Sequence, residues 1–281
     1  PVAVIPLGSG DPSPNPTTVE PIDPETQPLS PDPIEYELIG DAYGASSLGD
    51  GEAVRAWRES AIAAVAEGPI VSRGPGGGER VPLDPVDDEH VAKTPLHVTI
   101  RRRGSSRQYT REPLSFRKAS TVLDRATRGV PLDAGGGHGA DSASPLALND
   151  LYLVVSGVEN VEPGAYQYFP GEQALERLRA GDFRREAGHL ALDQRLAADA
   201  AVCAFFLTDL DAVTDAMGDR GYRAAQLAAA ITAGRLYLAA YAHRDLGATG
   251  LTFYDDAVTE FFSPRAEGET PTFLWTLGRP A

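Results

Sequence analysis

The sequence predicts an α+β fold, and three observations lead to that prediction. Helix-like and strand-like segments alternate along the chain without the regular strand–helix–strand repeat of a doubly wound sheet. Two continuous apolar runs, Leu151–Val155 and Ala201–Leu207, have the length and composition of strands buried on both faces. A long alanine-rich stretch from about Asp219 to His243 is apolar around almost its whole circumference. We therefore expect a mixed sheet flanked by helices, with this long helix buried at the domain centre or in a dimer seam.

Composition narrows the class of partner and the compartment. The chain has 281 residues with 40 acidic and 25 basic side chains, a net charge of −15, which argues against a nucleic-acid partner. Its 42% of hydrophobic residues suffices for a sizeable core. The single cysteine, Cys203, excludes an internal disulfide framework and is expected to be a small core residue. With no apolar run of membrane-spanning length and no signal pattern, we expect a cytoplasmic protein that has no membrane contact.

Residues 1–40 form an acidic, proline-rich arm. Ten prolines precede residue 35, and ten acidic residues precede the first basic residue, Arg55. Proline removes backbone donors and favours extended geometry, so the proline-rich stretch is predicted to be a linker without helix. Residues 1–8 resemble the last strand of the chain, which suggests the tail of an upstream copy of the same domain; chance similarity of two short strands is the alternative. The globular domain is expected over residues 41–281.

The other elements follow from local patterns. An alanine-rich helix is expected over 53–67, and a second helix over 115–128, where a glycine ends it. Residues 165–169 alternate between polar and apolar in the manner of a strand. A short helix is expected over 172–179, and the apolar run 272–277 is expected to be the last strand.

Arginines are concentrated just before the second helix. Four of them lie between positions 101 and 107, interrupted only by glycine and serine. Guanidinium groups bind phosphate through two parallel hydrogen bonds, and a serine hydroxyl donates to the same oxygens. The pattern therefore predicts an anion site. A solvated basic face is the alternative, because arginine is almost the only cation of this chain, whose two lysines are Lys93 and Lys118.

Residues 103–107, Arg-Gly-Ser-Ser-Arg, resemble the Arg-x-Ser-x-Arg element that opens nitroreductase-fold flavoproteins. Further segments resemble, in the same order, the SagB-type dehydrogenase branch, whose members oxidise azoline rings to azoles on ribosomal peptides. These segments are the strand at 148–155, the Glu-Pro-Gly-x-Tyr-x-Tyr hairpin at 162–168, the helix start at 218–223, the Phe-Tyr-Asp-Asp junction at 253–256 and the chain end at 277–280. The resemblance covers about residues 40–281 and implies a nitroreductase-like fold.

The resemblance also implies a cofactor, FMN, and a two-sided set of residues that bind it. The phosphate side would be held by side chains, while the turn at 249–252 would offer backbone N–H groups to the N5/O4 edge of the ring. The implied contacts are Arg103, Ser105, Arg107 and Arg279 on the phosphate side, and Ser142, Gly250 and Leu251 on the ring side. Hydride would pass between a peptide or small-molecule substrate and flavin N5. In this fold the flavin lies at a two-fold seam, so a homodimer, or a pseudo-dimer with the upstream copy, is implied.

The chain departs from the family pattern at two places. The Gly-x-Leu-Tyr-Pro loop reads Ser-Pro-Leu-Ala-Leu at 144–148, without the tyrosine. The Glu-x-Gly-His-x-x-Gln-Asn signature of the central helix is replaced at 228–235 by mainly small or apolar residues, so acid–base help from that helix face is not expected. A degenerate, non-catalytic copy that serves in dimerisation, flavin storage or peptide binding is therefore the alternative. The five histidines lack metal-ligand spacing, so no metal is expected.

Overall fold

The structure is a computed structural model of the chain. It describes residues 34–66, 73–91, 94–129 and 148–281, together with positions 23–25, 27, 30–32 and 70. The predictions made for residues 1–8 and for Ser142 lie outside the described residues.

An antiparallel sheet forms the centre of the described part of the chain. Its strands are β1 (Arg80–Pro82), β2 (Tyr109–Thr110), β3 (Asp150–Val155), β4 (Gly164–Phe169), β5 (Ala174–Ala180), β6 (Val202–Thr208), β7 (Gly247–Leu251) and β8 (Thr270–Pro280). The order across the sheet is β1-β5-β4-β3-β6-β8-β2, and β7 pairs with β8. The expected mixed sheet is in fact antiparallel at every pairing of these strands. Parallel geometry is found at an isolated bridge between Leu114 and Val158.

Helices cover both faces of this sheet. They are α1 (Glu37–Ala45), α2 (Gly51–Ala66), α3 (Leu96–Arg102), α4 (Phe116–Ala126), α5 (Arg184–Leu190), α6 (Arg195–Asp199), α7 (Leu210–Met217), α8 (Arg220–Ala242) and α9 (Asp255–Phe262). The predicted helices over 53–67, 115–128 and 219–243 are confirmed as α2, α4 and α8. The expected α+β class is confirmed as well.

Alternate residues of the central strands β3 and β6 face opposite sides of the sheet and belong to two separate hydrophobic cores. Leu153 of β3 and Phe206 of β6 pack with α4 and α8 on one face. Tyr152 and Phe205, their neighbours along the same strands, pack with α5, α6 and α9 on the other face. This alternation is the period-two pattern of a sheet buried on both sides. Cys203 belongs to the second core, and burial raises the pKa of its thiol to about 12, so it is a core residue as expected.

Helix α8 is less enclosed than its sequence suggested. Its buried residues form one stripe at helical spacing, while Leu227 on another face is 50% exposed. The buried stripe consists mainly of alanines, which allow the helix to lie close to α4, β7 and β8. Part of the apolar surface of α8 is therefore exposed among the described residues.

The helix expected over 172–179 is wrong. A short 3₁₀ turn at Pro170–Glu172 leads through Gln173, which has left-handed backbone angles, into strand β5. β5 pairs with β4 on one side and β1 on the other. These hydrogen bonds to strands elsewhere in the sequence outweigh the local helix propensity of Leu, Glu and Arg.

Within the described residues, no helix combines the length and the apolar character that crossing a bilayer requires.

Candidate functional site

The arginine-rich segment lies across the C-terminal half of α8 and the outer edge of β7. Helix α3 ends at Arg102, whose guanidinium donates hydrogen bonds to the carbonyls of Tyr241 and Ala242. The chain is then extended, and the N–H of Ser106 donates to the carbonyl of Ala248 in β7 at 3.0 Å. The segment that the sequence marked as an anion site is therefore fixed on two regular elements.

Tyr237 of α8 joins the two sides of the predicted cofactor site. The guanidinium carbon of Arg103 lies 4.8 Å from the centroid of the Tyr237 ring, which is cation–π geometry. The N–H of Gly250 donates a hydrogen bond to the Tyr237 hydroxyl. A predicted phosphate-side residue and a predicted ring-side residue are thus brought together on one tyrosine.

A second tyrosine, Tyr241, makes the next contact one helical turn further on. Its hydroxyl lies 3.3 Å from the Ser106 hydroxyl and donates to the carbonyl of Ala248 at 3.5 Å. Gly247 permits this approach, because a Cβ there would lie 2.2 Å from the Ser106 oxygen. The residue at 247 must therefore be glycine for the segment to lie on the edge of β7.

Arg103, Ser105 and Arg107 are exposed to solvent. In the described part of the chain no carboxylate lies within 4.0 Å of either arginine, although acidic residues outnumber basic ones. Arginines elsewhere are commonly paired, as in Arg117 with Asp84 at 2.9 Å. A guanidinium without a carboxylate partner keeps its charge and most of its donors for an external anion, so this segment suits phosphate.

Arg279 is in a different electrostatic position. Its guanidinium pairs with Glu112 at 3.3 Å and with Asp245 at 3.8 Å. Asp245 also accepts from Lys118 at 2.6 Å, and this hydrogen bond lowers the pKa of the Asp245 carboxyl. The charge of Arg279 is thus largely balanced, although its buried Nε has no hydrogen-bond partner among the described residues. Its role toward phosphate stays a prediction.

The turn expected at 249–252 is wrong, because residues up to Leu251 belong to strand β7. Gly250 stands opposite Trp275 of β8, and Leu251 opposite Leu274. Backbone groups along an edge strand alternate between the neighbouring strand and the outside. The Gly250 N–H faces outward to Tyr237, which directs the Leu251 N–H toward β8. Of the two residues, Gly250 is therefore the one whose N–H faces the outer edge of β7, where the Tyr237 hydroxyl accepts it.

Sequence reasoning missed Tyr237, Tyr241 and Ser106. The two tyrosines lie four residues apart in the mainly aliphatic last two turns of α8, which places their side chains on the same face. That spacing was the available signal. Ser106 was hidden by its neighbour, because the family pattern assigns the function to Ser105 whereas Ser106 makes the internal contacts.

A buried acidic group lies at the opposite end of β8 from Arg279. The Tyr152 hydroxyl donates to the Glu269 carboxyl at 2.7 Å, and Arg73 lies 3.4 Å from the other carboxyl oxygen. Burial, together with the neighbouring carboxyl of Asp150, raises the pKa of Glu269 to about 8. Among the described residues no group of three metal-ligating side chains is found here or elsewhere.

Comparison with known proteins agrees with the fold. Residues 100–278 match the model of the nitroreductase family, well over half of the chain. The chain belongs to the nitroreductase family.

Several relatives support this membership. MJ1384 of Methanocaldococcus jannaschii, described as a nitroreductase, is 31% identical over 183 residues, which are 65% of this chain and 89% of that protein. A crystal structure described as a nitroreductase, from Anabaena variabilis, is 30% identical with a TM-score of 0.62; the match covers 84% of this chain but 48% of that one, so this chain spans about half its length. A similarly described structure from Ralstonia eutropha is 25% identical with a TM-score of 0.56, covering 76% and 97%.

The fold is also that of the E. coli microcin synthetase McbBCD complex, which was solved with truncated pro-MccB17 bound. This match has 18% identity and a TM-score of 0.54, and it covers 88% of this chain and 98% of that one.

Proposed function

We propose that the protein is an FMN-dependent oxidoreductase resembling SagB-type dehydrogenases, in which a hydride passes between the substrate and flavin N5. The observation that carries the proposal is the meeting of Arg103 and Gly250 on Tyr237. It brings a cation without a carboxylate partner in the described residues and a backbone N–H donor to the same edge of the domain. These are the two kinds of group that a flavin nucleotide needs at its two ends.

The residues present fit the cofactor in charge and in donor chemistry. Arg103 and Arg107 would bind the phosphate oxygens, with the Ser105 hydroxyl as a further donor. On the ring side, the N–H of Gly250 points to the outer edge of β7 and donates to the Tyr237 hydroxyl, so the proton of that hydroxyl would be the donor that stabilises negative charge on the ring. When bound, FMN supplies hydride transfer at N5. The protein's own part is to orient the ring and to compensate its charge.

The substrate belongs to this proposal and not to the family assignment. Motifs at 148–155 and 162–168 favour the SagB-type branch, and they form the paired strands β3 and β4. The microcin synthetase complex, which shares the fold, was solved with truncated pro-MccB17 bound. We therefore propose a peptide substrate, with a small nitro or quinone compound as the other class. A cytoplasmic location is part of this proposal and is supported by the lone, reduced Cys203.

The proposed partner is a second copy of this domain, either in a homodimer or as a related domain in a pseudo-dimer. Large apolar side chains are exposed on three helices, and such surfaces are typical of protein interfaces. They are Leu38, Ile39 and Tyr43 on α1, Leu96 and Ile100 on α3, and Leu227 on α8. Because α3 leads directly into Arg103, an interface on these helices would border the proposed phosphate site.

A non-catalytic flavin-binding or peptide-binding module is the second candidate. At the positions of the lost helix signature, Ala228, Ala229 and Ala233 are buried and carry no proton donor. Arg235, in the same stretch, donates to the carbonyl of Gly129. This face of α8 thus offers structural contacts in place of acid–base groups.

Titration of the purified protein with FMN, followed by anaerobic reduction, tests the proposal. We expect binding of one FMN per domain, a flavin absorbance band that bleaches with a nicotinamide donor or an azoline-containing peptide, and recovery of the band with an acceptor. Binding without turnover of either substrate class would favour the module. Absence of FMN binding would contradict both flavin-based functions.

A further inference from the structure

We propose that Tyr237 is a positioning residue that couples the two ends of the flavin site. Its ring holds the Arg103 guanidinium for the phosphate, while its hydroxyl accepts from the Gly250 N–H and donates its own proton to the edge of the flavin ring. The inference rests on the proposed function, because it concerns the same cofactor. It extends that function by assigning the positioning of both cofactor-binding groups to a residue outside the family's Arg-x-Ser-x-Arg element.

The Arg103 side chain is positioned by its contact with the Tyr237 ring. The Arg103 guanidinium carbon lies 4.8 Å from the Tyr237 ring centroid, and its one hydrogen bond among the described residues is long, to the neighbouring carbonyl of Gly104 at 3.3 Å. No carboxylate among the described residues directs this side chain. The Tyr237 ring is therefore what restricts the rotamers of an otherwise exposed arginine, and it does so without neutralising the charge.

The Tyr237 hydroxyl both accepts a hydrogen bond and has a proton to donate. A phenol hydroxyl that accepts a hydrogen bond still has its own proton to donate. Because the Tyr237 oxygen accepts from Gly250, its O–H is oriented away from that N–H. No acceptor for this proton is found among the described residues. Tyr237 thus presents an O–H donor, polarised by the backbone N–H behind it, at the edge where the ring would lie.

Regular secondary structure holds the three groups in place. Tyr237 is on a 23-residue helix whose buried stripe packs on the sheet, and Gly250 is on a strand paired with β8. Arg103 follows an α3 that is bound to α8 through Arg102. The three groups therefore sit on regular elements, so removing the tyrosine should change their relative positions at the site more than the fold.

Two substitutions separate the ring from the hydroxyl, and two ligands separate the phosphate from the ring system. Tyr237→Phe keeps the ring, whereas Tyr237→Leu keeps apolar volume but removes the aromatic face. FMN and riboflavin differ only by the phosphate, so the ratio of their dissociation constants measures the phosphate contribution. Arg103→Ala gives the reference loss, and Arg185→Ala, which removes an exposed charge from α5, controls for net charge.

We expect Tyr237→Leu to lower the preference for FMN over riboflavin about fivefold or more, a loss close to that caused by Arg103→Ala. In the double variant Tyr237→Leu/Arg103→Ala, the leucine should add little to the loss caused by Arg103→Ala alone. Tyr237→Phe should keep that preference within about twofold but make the reduction potential of bound flavin more negative, because a donor to the reduced ring is lost. Thermal unfolding and circular dichroism establish that both variants are folded.

The inference is overturned if Tyr237→Leu keeps the wild-type preference, or if Tyr237→Phe leaves the potential unchanged, while the wild type binds FMN. If the wild type binds neither FMN nor riboflavin, the proposed function itself fails, which is a different and recognisable result. Should Tyr237→Leu not fold, Tyr237→His, which retains a ring, replaces it and must keep the preference for FMN above that of Arg103→Ala.

Discussion

The backbone of Gly247 lies so close to Ser106 that a Cβ on residue 247 would be 2.2 Å from the serine hydroxyl oxygen. Strand β7 and the arginine-rich segment are therefore in direct contact, and the N–H of Ser106 donates to Ala248 beside it. This contact fixes the position of the segment that carries Arg103 at the surface. It makes Gly247 the most sensitive small residue of the proposed site.

Gly247→Ala should weaken both stability and FMN binding. The added methyl group would also lie 2.7 Å from Pro280, so both neighbours must shift. Overpacking of this kind costs about 1–3 kcal/mol. Urea unfolding and an FMN titration measure the two effects, and the double variant with Ser106→Ala should recover part of the loss.

Gly234→Ala is the matched control for this substitution. Gly234 is an exposed residue of α8, and a Cβ there would meet no atom of the described residues within 4 Å. Alanine should therefore stabilise the helix by about 0.5–1 kcal/mol. Equal effects of the two glycine substitutions would contradict the packing described for Gly247.

Glu269 should make stability fall as pH rises. Its pKa is raised to about 8 by burial and by Asp150, well above that of a carboxyl in an unfolded chain. The folded state therefore binds a proton more tightly, and the stability that this provides is complete below about pH 4.5 and lost as pH rises through 8. In urea unfolding between pH 5 and 9, the wild type should lose up to several kcal/mol relative to Glu269→Gln, at about 1.4 kcal/mol per pH unit.

Glu267→Gln provides the comparison, because this carboxylate is exposed two residues earlier. Its pH profile should follow that of the wild type. If Glu269→Gln also followed the wild-type profile, Glu269 would not hold a proton in the folded protein.

Cys203 should be chemically inert until the protein unfolds. The thiol is 2% exposed and donates to the carbonyl of Ala197 at 3.4 Å, and burial raises its pKa to about 12. Thiolate is the reactive form, so labelling with a disulfide reagent should be at least 100-fold slower in buffer than in denaturant. Rapid labelling of the native protein would mean that β6 opens far more readily than its pairing implies.

The central strands could be predicted because their signal is local. Leu151–Val155 and Ala201–Leu207 are apolar at every position, and the structure places β3 and β6 there, each buried on two faces. The amphipathic period of α4 is likewise contained in its own sequence. Predicting these strands and this helix required no knowledge of the segments against which they pack.

The failures depend on partners that are distant in sequence. Residues 174–180 form a strand because β4 pairs along their length and β1, from nearly a hundred residues upstream, pairs with residues 174–176. Residues 249–251 belong to a strand because β8, which comes later in the sequence, pairs with them. The site residues Arg103 and Gly250 were predicted from motif resemblance, but the contacts by which Tyr237 joins them follow only from the packing of α8 against β7.

The most direct test of the central claim compares FMN with riboflavin on the wild type and on Arg103→Ala/Arg107→Ala, with Arg185→Ala as the charge control. Fluorescence titration should show that the wild type and the control bind FMN at least 10-fold more tightly than riboflavin, and that the double variant has lost this preference. A double variant that still prefers FMN to the wild-type extent would contradict the assignment of the arginine segment to the phosphate.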